Sequence, residues 1–182
     1  MVELLVRCLT AWIVVGTVRR KVQRRLVSFI HGLPVRRRAK RVGKGLRCRG
    51  PVRVTRRTEL GDHVHLNGAV FYGGGPVKIG DRSRLGEGLK VFTRNHNYKG
   101  EAIPYDKTYV VKPVTIGRCV WVGAYVILLP GTTIGDGAII QAGSVVHGEI
   151  PPMAIAGGNP AKVFAWRDKE RYEALFAAGR FD

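Results

Sequence analysis

Aliphatic residues recur six positions apart over more than half of the chain. Ile79-Gly80, Leu85-Gly86, Ile116-Gly117, Val122-Gly123 and Ile134-Gly135 mark the beat. Leu60-Gly61, Leu66, Leu128, Ile140 and Val146 keep the same frame, which reaches back to Val42-Gly43, Cys48 and Val54. Four residues after each beat stands a second small or branched side chain: Val64, Val70, Ser83, Val120, Val126, Thr132, Ala138 and Ser144. A helix repeats at 3.6 residues and a strand at 2, so a period of six is a short strand followed by a corner. Three such sides close a coil of about 18 residues, and stacked coils pair their backbones at the parallel-strand spacing of ~4.8 Å. The pattern predicts an all-β fold, a parallel β-helix of hexapeptide repeats over 42–150. The first and fifth residues of each repeat point inward, and the glycine after the aliphatic relieves a corner at positive φ. A β-sandwich with Gly-rich turns would not hold a six-residue phase over this length.

Two interruptions break the frame. One is a single extra residue in Gly73-Gly74-Gly75; the other is an insertion over 97–115, predicted to protrude as an arm. The ends follow other rules. Val18, Val22, Leu26, Phe29 and Ile30 recur at helical spacing, with Arg19, Arg20, Lys21, Arg24 and Arg25 between them. Residues 1–41 are therefore expected to form a basic amphipathic helix, then a cationic run through Arg36, Arg37, Arg38, Lys40 and Arg41. The extension 151–182 is expected to carry a helix from Asp168 to Ala178, with Tyr172, Leu175 and Phe176 as its buried stripe against the last coil or a neighbouring subunit.

Charge sharpens this division. The 182 residues carry a net charge of +18, but 17 Lys and Arg face only 2 acids in residues 1–59, against 14 and 11 in the remainder. This distribution argues against a nucleic-acid binder throughout, and the basic end lacks interleaved aromatics among its arginines that would stack on bases. Its helix suits an anionic membrane surface or a cap on the first coil, and the sequence leaves both open. The apolar run Cys8–Val18 is 11 residues long, whereas a spanning helix needs about 20. Its cations follow it, unlike those of a signal peptide. Cys8, Cys48 and Cys119 form no CxxC pair and are odd in number, so neither a disulfide framework nor a zinc site is expected. The expected compartment is the cytoplasm, at the inner face of the membrane if the basic segment binds there.

Candidate chemistry gathers beside the insertion, in Thr93-Arg94-Asn95-His96-Asn97-Tyr98. His96 alone among them can gain and lose a proton near neutral pH. It is either a general base or a surface histidine hydrogen-bonded to the arm, and position leaves both open. His63 and His65 flank the inward Val64 and should project outward. No metal site is expected, and Gly73-Gly74-Gly75 lacks the lysine of a P-loop.

One resemblance adds to these readings. The stretch from Val114 to Val163 carries Trp121-Val122-Gly123, Leu129-Pro130-Gly131, Thr133-Ile134-Gly135-Asp136-Gly137, Gly143-Ser144-Val145-Val146, Ile150-Pro151-Pro152 and Gly158-Asn159-Pro160-Ala161-Lys162. It closely resembles the hexapeptide-repeat acetyltransferases. Asn95-His96-Asn97-Tyr98 and Ile103-Pro104-Tyr105-Asp106 are similar to the arm of the sugar and polysaccharide O-acetyltransferases, such as those acting on maltose and galactosides. The resemblance covers roughly residues 60–182. It implies a left-handed β-helix, a homotrimer with active sites between subunits, and acetyl-CoA as co-substrate. By the same resemblance the catalytic histidine falls on His96 and an acceptor contact on Asn67. Donor contacts fall on Ala124, Ala142 and His147, and a cation near the nucleotide end of CoA falls on Lys162. Where the family often has Thr-Lys or Thr-Arg, this chain has His147-Gly148, which leaves Lys162 or a neighbour's arginine to meet the phosphates. The implied activity is acetyl transfer to a sugar or glycan-precursor hydroxyl, with a histidine base and direct attack on the thioester. An antibiotic or amino-sugar acceptor, and a non-catalytic trimeric scaffold that binds polyanions, are the alternatives.

Overall fold

The structure is a computed structural model and describes residues 22–181. Cys8, Trp12, Val18, Arg19, Arg20 and Lys21 lie outside that range. From Arg41 to Ile150 the chain winds as a left-handed parallel β-helix. One face stacks β1 (Arg41–Val42), β3 (Thr58–Leu60), β5 (Val77–Ile79), β10 (Val114–Ile116), β13 (Thr133–Ile134) and β16 (Glu149–Ile150) in parallel register. A second carries β6 (Arg84–Leu85), β11 (Trp121–Val122), β14 (Ile139–Ile140) and β17 (Ala154–Gly158). β18 (Ala161–Trp166) closes the second face antiparallel to β17. The third holds β7 (Leu89–Phe92), β12 (Ile127–Leu128) and β15 (Val145–Val146). Two longer strands, β2 (Arg47–Arg53) and β4 (His65–Tyr72), bend around the corner between the second and third faces.

The beat aliphatics Leu60, Leu66, Ile79, Leu85, Ile116, Val122, Leu128, Ile134, Ile140 and Val146 are all buried, with Cys48 among them. The polar residues at the fifth positions are buried as well, because each hydroxyl returns to a corner carbonyl. Ser83 Oγ donates to Gly117 O at 2.7 Å, Thr132 Oγ1 to Leu129 O at 2.7 Å and Ser144 Oγ to Gln141 O at 2.7 Å. A buried hydroxyl is tolerated on that condition.

The glycine after each aliphatic has a different role from the one expected. Positive φ falls two residues later, on His63, Arg82, Cys119 and Tyr125 among others. Gly123 lies against the next coil so closely that a Cβ would sit 2.5 Å from Ala142 N. The position needs the absence of a side chain, not an unusual dihedral.

Val70 is also corrected. It turns outward, and after the corner at Asn67-Gly68 the buried residues of β4 are Ala69 and Phe71. The corner at Asn67-Gly68 is tighter than the others, which shifts the inward phase by one residue. The extra length around Gly73-Gly74-Gly75 then restores it before Val77 and Ile79.

Residues 22–38 form a helix, α1. Val35 is fully buried in the core cluster, and Ser28 Oγ accepts the Cys48 N–H at 3.0 Å. Both hold α1 on the first coil. Val22, Leu26, Phe29 and Ile30 lie on the opposite side of the helix and are 53–63% exposed. At the other end, α2 (Lys169–Ala177) starts at Asp168, whose carboxylate accepts the Arg171 N–H at 2.9 Å. None of its residues is buried. Of the expected stripe, Tyr172 lies against the coil at Gly137, whereas Leu175 and Phe176, each 39% exposed, face an open cavity.

Candidate active site

The insertion leaves the coil as β8 (Arg94–His96) and returns as β9 (Tyr109–Val111), an antiparallel ribbon that sets His96 opposite Tyr109. Ile79 pairs directly with Ile116, so the coil resumes in frame across the arm. At the arm's tip Asp106 organises the turn. Its carboxylate accepts the Thr108 N–H at 2.8 Å, the Thr108 hydroxyl, and the Glu101 N–H at 3.3 Å. These bonds hold its carboxyl below the ordinary carboxylate value, the Thr108 hydroxyl having the largest effect. Asn97 accepts the Lys99 N–H at 3.1 Å and donates to the Thr108 hydroxyl at 3.1 Å.

This folded tip presses Tyr105 onto His96, the two rings stacking at 3.8 Å between centroids. Tyr109 tilts against the imidazole at 4.8 Å, and the Arg94 guanidinium lies 4.1 Å from the Tyr109 ring centre. His96 is exposed and lines a cavity of about 430 Å³ together with Tyr105, Asp106, Lys107 and Tyr109. No hydrogen bond to either of its ring nitrogens is found among the described residues. The imidazole is thus held by stacking, not by hydrogen bonds to the arm.

Coil register places the other candidates. Leu66, Leu85, Val122, Ile140 and Ala156 stack one above another. The corners that follow them carry Asn67, Ala124 and Ala142 along one edge of the prism, tied by the Gly143 N–H donating to Ala124 O at 2.8 Å. Lys162 sits at the top of this edge, opposite Gly157 in the β17–β18 hairpin, and is exposed. Val91, Leu128 and Val146 stack likewise. That column brings the exposed His147 and the root of the arm to the adjacent edge. One chain therefore spreads the six residues over two edges, with Asn67, Ala124, Ala142 and Lys162 on one and His96 and His147 on the other.

His65 differs from its expected exposure. It is 7% exposed, in register between Arg47 and Arg84, with its Nδ1 2.6 Å from Arg84 Nη1. Among the described residues no group of three His, Cys, Asp or Glu is placed to hold a metal ion. Reasoning from sequence did not give Tyr109 and Arg94 a role, nor Tyr105 one beyond its place in the arm. The available signal was the run of Tyr98, Tyr105 and Tyr109 in an otherwise polar insertion.

Stacked hexapeptide coils with a histidine-bearing arm define a class, and comparison with known proteins agrees. The bacterial transferase hexapeptide family (six repeats) matches residues 113–148. Galactoside O-acetyltransferase of Escherichia coli (strain K12) is 37% identical over 99 residues, which are 53% of this chain and 48% of that one. The crystal structure of a maltose O-acetyltransferase from Clostridium difficile 630 superposes with a TM-score of 0.67 at 30% identity, covering 74% of this chain and 73% of that one. A hexapeptide-repeat acetyltransferase from Vibrio cholerae O1 biovar eltor, solved with acetyl coenzyme A, gives a TM-score of 0.66 at 28% identity over 73% of this chain and 74% of that one. The chain belongs to the hexapeptide-repeat transferase family. It spans about half the length of the curated relatives it matches.

Proposed function

We propose that the protein is an acetyl-CoA-dependent O-acetyltransferase acting on a hydroxyl of a sugar or glycan precursor. The observation that carries the proposal is the exposed His96 imidazole, clamped by Tyr105 and Tyr109 at the mouth of the arm cavity. A sugar hydroxyl is a weak nucleophile and a thioester is already activated, so proton transfer is the task left to a side chain. Neutral His96 takes the hydroxyl proton as the oxygen bonds to the acetyl carbonyl carbon. The imidazolium then returns that proton to the sulfur as the C–S bond breaks, leaving ester and free thiol. A base of this kind contributes ~10²–10⁴-fold.

The second edge supplies binding. Ala124 and Ala142 are small enough for an extended pantetheine arm to lie against the corner backbone, and Lys162 at the top offers its ammonium to the CoA phosphates. Asn67 would hold the acceptor hydroxyl, and His147 takes a lesser place beside the arm. Because the imidazole and the donor edge lie on different edges of one prism, the site is assembled between copies in a homotrimer.

The test is incubation with acetyl-CoA and a panel of sugars and amino sugars, with free thiol as the readout. His96→Ala is expected to lower turnover at least about 100-fold while the sedimentation coefficient is unchanged. Undiminished thiol release would remove His96 from the mechanism, and transfer confined to amino sugars would replace the hydroxyl acceptor.

The exposed stripe of α1 favours a place at an anionic membrane surface, where lipid-linked glycan precursors would be met. α1 caps the first coil with one side and turns Val22, Leu26, Phe29 and Ile30 outward with the other, so both roles expected of the basic segment can coexist. Leu26→Glu with Phe29→Glu is expected to abolish co-sedimentation with phosphatidylglycerol-containing vesicles and leave thiol release from a soluble sugar intact. Equal sedimentation of the two forms would end the membrane reading.

A further inference from the structure

The cavity that α2 leaves open is distinct from both edges of the candidate active site. It measures about 440 Å³ and lies between the second face of the coil and the C-terminal helix. Among the described residues five arginines line it, Arg82, Arg84, Arg167, Arg171 and Arg180, and one acid, Asp168. That acid is already engaged as the cap of α2. Among the described residues no carboxylate lies within ion-pair distance of Arg82, Arg167, Arg171 or Arg180. Arg167 goes further, because its Nε–H is buried and has no acceptor. A buried charged donor without a partner is costly, and several guanidiniums on one lip repel one another. The repulsion is relieved by an anion in the cavity.

The rest of the lining is aromatic. Phe181 lies under the Arg82 guanidinium at 3.8 Å and meets Phe176 edge-on at 5.4 Å. On the coil side Trp121 is exposed and stacks on no other ring among the described residues. Guanidinium forks match phosphate oxygens, and a free indole face accepts a planar ring.

We infer that this cavity is a second binding site, for a small molecule that carries both a phosphate and a planar ring, as a nucleotide does. It is built from residues that the proposed transfer reaction does not use. Its occupancy would tie α2 to the coil, since Arg82 and Trp121 come from one side and Arg167, Arg171 and Arg180 from the other.

The experiment is calorimetric titration of 5′-AMP into the full chain saturated with CoA, so that the proposed donor edge is filled first. The expected result is a binding event that survives CoA, is weakened at least tenfold in Arg171→Glu/Arg180→Glu, and is weakened likewise in Arg167→Lys, which keeps the charge but loses the fork. Inorganic phosphate and adenosine, titrated separately, are each expected to bind at least tenfold more weakly than 5′-AMP. Loss of all 5′-AMP binding once CoA is present would overturn the inference, since only the donor edge would then have been bound. Binding that ignores both sets of substitutions would overturn it as well. Phosphate binding as tightly as 5′-AMP would remove the ring from the ligand and with it the proposed class. Thiol release in these variants separates the two proposals, because it is expected to stay at the level of the unmodified chain.

Discussion

Tyr105 and Tyr109 constrain the His96 ring without consuming either nitrogen, which leaves one to accept a proton and the other to meet a substrate or neighbour. The clamp depends on the arm's tip, and the tip depends on Asp106. Its folded-state carboxyl lies below the ordinary value of 3.8, so its contribution to arm order is complete above that value and is lost as pH falls through the folded one. Asp106→Asn is therefore expected to raise hydrogen exchange in the arm several-fold at neutral pH, read by mass spectrometry on peptides covering 97–108. Exchange unchanged from the parent chain would mean that the tip is held by other contacts. His96 could be picked out of the sequence because imidazole is the side chain suited to proton transfer at neutral pH. Its aromatic clamp could not, because the pairing that sets it against Tyr109 joins residues on opposite sides of an insertion.

The coils were the most legible element. Each inward position repeats a simple rule, burial of an aliphatic every six residues, and local sequence suffices to state it. Where the structure departed from that rule, coil-to-coil contact was the cause. Gly123 serves the approach of Ala142 from the coil above, eighteen residues onward by the pairing of Val122 with Ile140. Gly123→Ala is expected to destabilise the fold by about 2–4 kcal/mol, measured in urea unfolding, through overpacking against backbone that cannot yield. A loss no larger than that of Gly50→Ala, where φ is not positive and the added Cβ meets no atom closer than 3.5 Å, would refute the close-approach account. Val70 turned outward for a related reason. The shortened corner at Asn67-Gly68 turns on Gly68 at φ 90° and fits the register in which β4 pairs with β2 and β7.

For the whole molecule, the two edges give a separable prediction. Lys162→Glu removes a cation from the proposed donor edge and leaves the arm untouched. The KM for acetyl-CoA should rise about 10–100-fold, the scale of a lost charge-assisted hydrogen bond, while kcat stays within a few-fold. A fall in kcat with unchanged KM would move Lys162 out of donor binding. Sedimentation equilibrium at three times the chain mass is the matching expectation for a site shared between copies, and a monomer with full activity would contradict it. By itself the sequence determined the β-helix, its inward residues, the arm and the uneven charge, because each is a periodicity or a composition carried along the chain. Only the tertiary structure decided which corners stack into one edge, which side of α1 faces the coil, and that α2 stands over an arginine-lined cavity. Those depend on contacts between residues distant in the chain, whose free energies are settled by the space left when the coils have closed.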